Sequence, residues 1–164
     1  MRKLLNFVIA IVMIALFSNF SFSETVQEIE SILMNHVETG YKFVKKLGNG
    51  SWKVNLTTSS GYSKDVYVYV SFNKNNPDFD IVYVYTGIRT YTDDELQKSF
   101  NSLVSALQRN SAPSEWGTFS LYKDKGTWYL DYNVKLRRVY ADETHLMNAI
   151  GWVVGASSVY EEQF

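Results

Sequence analysis

The first absence in this sequence is cysteine. None occurs among the 164 residues, so the chain has no disulfide bond, no thiolate metal site and no cysteine that could carry a lipid. Its folded state must therefore be stabilised by packing alone. Apolar residues are plentiful enough for this, since 46% of the chain is hydrophobic and 16% is aromatic, and the composition gives no sign of disorder.

Histidines and catalytic motifs are also scarce. A metal site would need the only two histidines, His36 and His145, to meet beside a carboxylate such as Glu143. We instead expect two partly exposed helix histidines. No Gly-x-Ser-x-Gly sequence is present that would hold a nucleophilic serine. The sequence therefore predicts no catalytic site, no metal and no cofactor, and a protein that is not an enzyme.

The segment 1–23 has the layout of a secretory signal peptide. Arg2 and Lys3 precede an almost entirely apolar run over residues 4–17, and small residues then occupy the positions before the expected cut. The alternative is an uncleaved anchor, but the run is shorter than the roughly 18–20 residues that span a bilayer. We expect export to the periplasm or the extracellular space, and no stable membrane insertion of the mature chain, residues 24–164.

Basic charge is not in excess in the mature chain. Removing Arg2 and Lys3 from the 16 basic residues leaves 14 against 17 acidic ones, a net charge of −3. A protein that binds nucleic acid needs a basic patch to neutralise phosphates, and none stands out here. We therefore expect no nucleic-acid partner. The mature length is that of one domain.

The mature region predicts an α+β fold in the order α-β-β-β-α-β-β-α. Helices are expected where apolar residues recur every three or four positions or a capping box begins, at about 25–39, 92–110 and 142–160. Strands are expected where apolar and polar residues alternate, at 52–57, 66–72, 79–88, 116–122 and 127–138. Residues 41–47 fit either a continued helix or an extended lead-in, and we favour the extended form.

Adjacent strands joined by short turns indicate an antiparallel sheet, with the helices covering one face in a two-layer domain. Alternation assigns these residues to the helix side: Trp52, Val54, Leu56, Val66, Val68, Val70, Phe119, Leu121, Trp128, Leu130 and Val134. It assigns these to the opposite side: Lys53, Asn55, Tyr67, Tyr69, Tyr122, Tyr129 and Asp131. Tyr83 and Tyr85 join them if the register of the third strand allows.

The second half of the chain also carries a series of local motifs. A helix with Leu103 and Leu107 leads into the strand at 116–121, an Asp-x-Gly turn at 124–126, a long strand and a closing helix at 146–160. In their order and local sequence these motifs resemble the YbjN family of bacterial proteins, which shares its fold with the type III secretion chaperones. The resemblance implies a non-enzymatic, protein-binding or regulatory module that is often dimeric.

Two surfaces are candidates for binding. The first is the tyrosine-rich sheet face with Tyr67, Tyr69, Tyr122, Tyr129 and Asp131. Tyrosine offers a large contact area at low entropic cost together with a hydroxyl group, which suits recognition of a partner. The alternative is cross-strand tyrosine pairing on a solvated sheet.

The second surface is the last helix, where Gly151 and Gly155 stand four residues apart. Small residues at this spacing let another backbone come close. The candidates are tight packing on the sheet or on the first helix, and a contact between two copies of the chain.

These observations predict an exported protein-interaction, regulatory or chaperone-like module whose partner is another protein, with a homodimer as a further expectation. A second hypothesis is a small-ligand carrier with an aromatic pocket between helices and sheet. That pocket would be lined by Trp52, Phe100, Trp128 and Trp152. A hydrolase that depends on His36 or His145 is the third and weakest hypothesis.

Overall fold

The computed structural model describes residues 24–73, 75–76, 79–109 and 117–164. The expected signal peptide at 1–23 lies outside the described residues, as does Trp116, the first residue of the strand motif compared above. Within the described ranges, no helix is long and apolar enough to cross a lipid bilayer.

Six strands in the described part of the chain form one antiparallel sheet, in the spatial order β1-β2-β3-β4-β6-β5. The strands are β1 Tyr41–Gly48, β2 Ser51–Thr57, β3 Ser63–Ser71, β4 Ile81–Tyr91, β5 Thr118–Asp124 and β6 Thr127–Arg137. Together with the helices, this sheet confirms the predicted α+β class.

Four α-helices lie in the described residues. They are α1 at 24–35, α2 Asp93–Lys98, α3 Phe100–Arg109 and α4 Glu143–Tyr160. Thr92 and Glu95 form the predicted capping box at the start of α2, and Asp142 caps α4 by accepting from the backbone N–H of His145. A short 3₁₀ turn, Arg138–Tyr140, joins β6 to α4.

The observed order contains a strand that the predicted order lacks. The ambiguous segment is β1, which pairs with β2 from Tyr41 opposite Leu56 to Gly48 opposite Ser51. Two register irregularities interrupt this ladder, and most side chains of β1 are exposed. Irregular pairing and lysine-rich, exposed sequence are common at sheet edges, where they discourage pairing with other chains, and they also remove the regular alternation that identifies a strand.

Two helices are shorter than expected. Helix α1 ends at 35 instead of 39, and Val37, which its apolar pattern included, is 94% exposed. The chain uses residues 36–40 to turn into β1, and Gly40 makes that turn with φ of 89°, where a Cβ would collide with the Thr57 carbonyl. The second expected helix is divided at Ser99 into α2 and α3.

The core lies between the sheet and the helices, on the face that alternation predicts. All eleven residues assigned to this side belong to the core or pack against it, with Leu56, Leu121 and Trp128 partly buried. The helices contribute Val26, Ile29 and Leu33 from α1, Leu103 from α3, and Leu146, Ile150, Val153 and Val154 from α4. This single core holds the helices on one face, and no described helix covers the other.

Candidate functional site

We call the side of the sheet away from the helices the open face. Its larger and charged side chains include Lys53, Asp65, Tyr67, Tyr69, Tyr83, Tyr85, Tyr122, Tyr129, Asp131 and Lys135. The five predicted residues of this surface, Tyr67, Tyr69, Tyr122, Tyr129 and Asp131, all lie on it. The register of β4 brings Tyr83 and Tyr85 to the same side, which meets the condition stated for them.

The tyrosines of the open face form three cross-strand pairs. Tyr67 lies opposite Tyr85 with ring centroids 5.4 Å apart, and Tyr69 lies opposite Tyr83 at 6.0 Å. The third pair, between β5 and β6, is stacked at 5.4 Å with an interplanar angle of 15°. Cross-strand pairing is therefore present, as the alternative interpretation expected, and it holds the rings in fixed positions.

Two lysines extend this surface. The Lys53 ammonium lies 5.8 Å from the Tyr67 ring centroid and forms an ion pair of 2.5 Å with Asp65. The Lys135 ammonium lies 5.5 Å from the ring centroid of Tyr83. The hydrogen bond from Lys53 holds the pKa of the Asp65 carboxyl below its ordinary value. The open face thus places ammonium groups beside tyrosine rings, as cation–π contacts require.

Asp131 is the buried acid of the open face. Only 7% of its surface is exposed, and the Tyr122 hydroxyl donates a hydrogen bond to its carboxylate. Burial raises the pKa of Asp131 above its ordinary value, although this hydrogen bond opposes the rise. Burial also raises the pKa of Tyr122 to about 12, and the negative charge of Asp131 adds to that effect.

Two shallow depressions meet at Asp131. One, of about 360 Å³, lies towards Tyr69 and Lys135. The other, of about 600 Å³, lies towards Tyr67 and Gly87. Both include Asp131 in their lining, so this carboxylate lies at the centre of the concave part of the face.

Sequence reasoning missed Asp65, Gly87 and Lys135 as parts of this surface. Alternation within each strand contains the signal for Asp65 and Lys135, since Asp65 stands two residues from Tyr67 and Lys135 stands four residues from Asp131. Their proximity to particular tyrosines depends on the strand order and register, which no single strand contains. Gly87 has no side chain to show a pattern.

No family model and no curated protein matches this chain. The resemblance to the YbjN family therefore stays a prediction that rests on the motifs of residues 100–164.

One interpretation expected Gly151 and Gly155 to pack tightly on the sheet or on α1, and they do not. A Cβ added to either glycine would meet no atom within 4 Å among the described residues. Both glycines instead line a groove of about 610 Å³ along α4, where Trp152 and Val159 are exposed. Helix α4 buries Ile150, Val153 and Val154 on its other side, so the core does not need the glycine side.

The four aromatic residues expected to line a carrier pocket do not meet. Trp52 is fully buried in the core, and the Trp128 indole N–H donates to Asp93 at 2.6 Å. Phe100 and Trp152 are exposed on α3 and α4. The space between the helices and the sheet is filled by the core, so the predicted lining is wrong.

The two histidines also stay apart. His36 lies between two carboxylates, with Nδ1 2.8 Å from Glu143 Oε1 and Nε2 3.2 Å from Glu38 Oε2. His145 contacts Asp142, the residue that caps α4. Burial lowers the pKa of His36, but the hydrogen bonds to Glu143 and Glu38 outweigh burial and raise it overall. The described residues contain no group of three or more side chains that could hold a metal ion.

Proposed function

We propose that this chain is an exported, non-enzymatic protein-interaction module of YbjN type that binds its partner through the open face. The observation that carries the proposal is the set of six tyrosines on a sheet face that no described helix covers. Chaperone-like or regulatory activity would follow from which protein is bound.

The chemistry of the open face supports protein recognition. Tyrosine is enriched at the energetically important centres of protein interfaces, because one side chain offers an apolar ring and a hydroxyl. Tyr69 and Tyr122 are 43% and 45% exposed, so much of their ring area is available to a partner. Contact with a cross-strand tyrosine already restricts each of these rings, which lowers the entropy lost when a partner orders them.

Removing tyrosine rings tests the proposal. The triple variant Tyr67→Ala, Tyr69→Ala, Tyr129→Ala should lose its partner when the exported protein is crosslinked in its native cell and purified. Tyr140→Ala is the matched control, because Tyr140 is exposed but lies in the 3₁₀ turn, outside the sheet. Capture that survives in the triple variant, with circular dichroism showing that it is folded, would exclude the open face as the binding surface.

The groove along α4 favours two further functions. Its exposed Trp152, beside glycines that leave space, suits a contact with a second copy of the chain, the expected homodimer. The same groove also keeps the small-ligand carrier as a second candidate, with a location different from the expected one. In a Trp52→Phe, Trp116→Phe, Trp128→Phe protein, Trp152 is the remaining tryptophan. Fluorescence of that protein that shifts saturably with an apolar ligand would favour the carrier.

A further inference from the structure

The open face has a gap where two strands separate. Strands β3 and β4 pair only as far as Tyr67 opposite Tyr85, although β3 begins at Ser63 and β4 continues to Tyr91. Beyond this pair, the Thr86 hydroxyl donates to the Asp65 carbonyl at 2.7 Å. The larger depression opens here.

The floor of the depression exposes backbone beside a carboxylate. Gly87 lies opposite Asp131, and a Cβ at Gly87 would stand 3.7 Å from the Asp131 Oδ1 atom. On the other side, Asp131 lies opposite Ser120, whose side chain is small. A ligand can therefore approach the carboxylate from the side of Gly87, because this residue has no side chain to block it.

Asp131 has no cationic partner among the residues that the structure describes. It takes part in none of the ion pairs found among the described residues, and Tyr122 is the group that donates to its carboxylate. A carboxylate offers about four acceptor positions, so most of them remain open to a ligand. A buried carboxylate without a counter-ion destabilises a fold, which makes it a candidate for a binding function.

Tyrosine pairs stand on both sides of this carboxylate. The pair Tyr67 and Tyr85 lies on one side along the strands, and the pair Tyr122 and Tyr129 lies on the other. Ring faces attract cations, and rings grouped around a cation are the usual means by which proteins bind quaternary ammonium groups. The open face already seats the ammonium groups of two lysines against Tyr67 and Tyr83.

We infer that the depression between these tyrosine pairs, which we call the cation trough, binds an organic cation with Asp131 as its counter-ion. Alkylammonium and guanidinium groups share the required chemistry. Asp131 and Asp65 are the carboxylates that line this depression, and Asp65 is already paired with Lys53. The described residues hold no group of three or more acidic or histidine side chains that could bind a metal ion, and the charge of Asp131 repels anions. The inference deepens the proposed function, because a lysine or arginine of the partner is one source of the cation; a free amine is the other.

Choline and its neutral isostere 3,3-dimethylbutan-1-ol provide the direct test. In a titration of the exported protein followed by NMR, choline should bind saturably and at least about tenfold more tightly than the alcohol, because only choline is charged. Shifts should centre on the resonances of Tyr85, Tyr122 and Tyr129. Equal affinity for the two probes, or no binding of choline, would overturn the inference.

Two variants test the site itself. Asp131→Asn should weaken the binding of choline and leave that of the neutral alcohol unchanged, because it removes the counter-ion and keeps the rings. Asp124→Asn, at an exposed carboxylate at the end of β5, should leave the affinity for choline unchanged. Gly87→Val should also abolish choline binding, because the new side chain blocks access to the Asp131 carboxylate. The fold should tolerate this change, since a Cβ at position 87 lies at ordinary van der Waals distance from its neighbours. Choline affinity that persists in Asp131→Asn would contradict the assignment of the counter-ion.

Two more ligands distinguish the source of the cation. Tighter binding of N-acetyl-lysine-N-methylamide than of butylammonium indicates a partner side chain, and equal binding indicates a free amine; both results support the trough. Partner capture that survives Asp131→Asn but not the triple tyrosine variant, with no choline binding, refutes the trough and keeps the proposed function. If choline binds but the triple tyrosine variant still captures the partner, the cation trough is supported and the proposed function is refuted.

Discussion

Two residues on the open face, Asp131 and Gly87, lower the stability of the folded state. Asp131 is nearly fully buried, and its carboxylate accepts a hydrogen bond from one tyrosine hydroxyl, while Lys53 and Lys135 are engaged elsewhere. Gly87 places a residue without a side chain within a strand, where glycine weakens a sheet. Residues that lower stability and share one location are typical of binding sites.

Asp131→Asn should raise the free energy of unfolding at neutral pH. Asparagine keeps an acceptor for the Tyr122 hydroxyl and removes the buried charge. Because the pKa of Asp131 is raised in the folded state, its charge reduces stability as pH rises from the ordinary value of 3.8 through the raised one. The gain should therefore be present at neutral pH and absent below 3.8.

Urea unfolding on both sides of that pH measures this effect, with Asp124→Asn as a variant of equal charge change at an exposed site. A loss of stability in Asp131→Asn at neutral pH would mean that the carboxylate is structural.

His36→Gln should reduce stability more at acidic than at alkaline pH. A neutral imidazole carries one N–H, so only the protonated ring can donate to both Glu38 and Glu143. Since the pKa of His36 is raised in the folded state, this stabilisation is complete below the ordinary value of 6.5 and is lost as pH rises through the raised one. Melting temperatures across this range check the prediction, and a pH-independent difference would contradict it.

The sequence alone could assign side chains to a face of the sheet, but it could not show which residues of different strands lie opposite each other. Alternation put Tyr67, Tyr69 and Tyr129 on the correct face, because the side-chain period of a strand is local. The surroundings of Asp131 come from two other strands, which place Gly87 and Ser120 opposite it, so they were not visible in the sequence around it.

Helix α4 buries one side in the core, and its glycine side faces open space. Gly151 and Gly155 lie inside this helix with open space around them. Alanine at either position should therefore raise the free energy of unfolding by about 0.5–1 kcal/mol, because glycine is the poorer helix former. Urea unfolding measures the gain.

Gly126→Ala is the control for this prediction. Gly126 also faces open space, but its φ of 87° is strained for alanine, so this variant should lose about 1–2 kcal/mol. If the glycine side of α4 instead joins two copies of the chain, Gly151→Ala should weaken the dimer, which light scattering at several protein concentrations would detect.

Elements with regular patterns were predictable, including the edge strand β5, whereas the irregular edge strand β1 was not. The central strands β2, β3 and β6 follow from strict alternation, and the start of α2 follows from the chemistry of Thr92 and Glu95. Strand β1 has the sheet on one side only, so packing imposes less pattern on its sequence. The end of α1 is set by the turn into β1, which overrides the apolar pattern that continued to Val37.

For the whole molecule, the layer arrangement leaves one side of the sheet uncovered by the described helices. The single core explains why four helices share one face, and the sequence predicted that arrangement because strands joined by short turns favour antiparallel pairing. What meets the open face depends on a second molecule, which intrachain patterns do not encode. We propose that this second molecule is a protein bound at the open face.

Photocrosslinking in the native cell tests that claim most directly. Benzoylphenylalanine in place of Tyr69 puts a reactive group on the open face, and the same group in place of Tyr140 puts it outside the sheet. We expect one dominant protein adduct from position 69 and none from position 140. An adduct from position 140 alone, or none from position 69, would contradict the account.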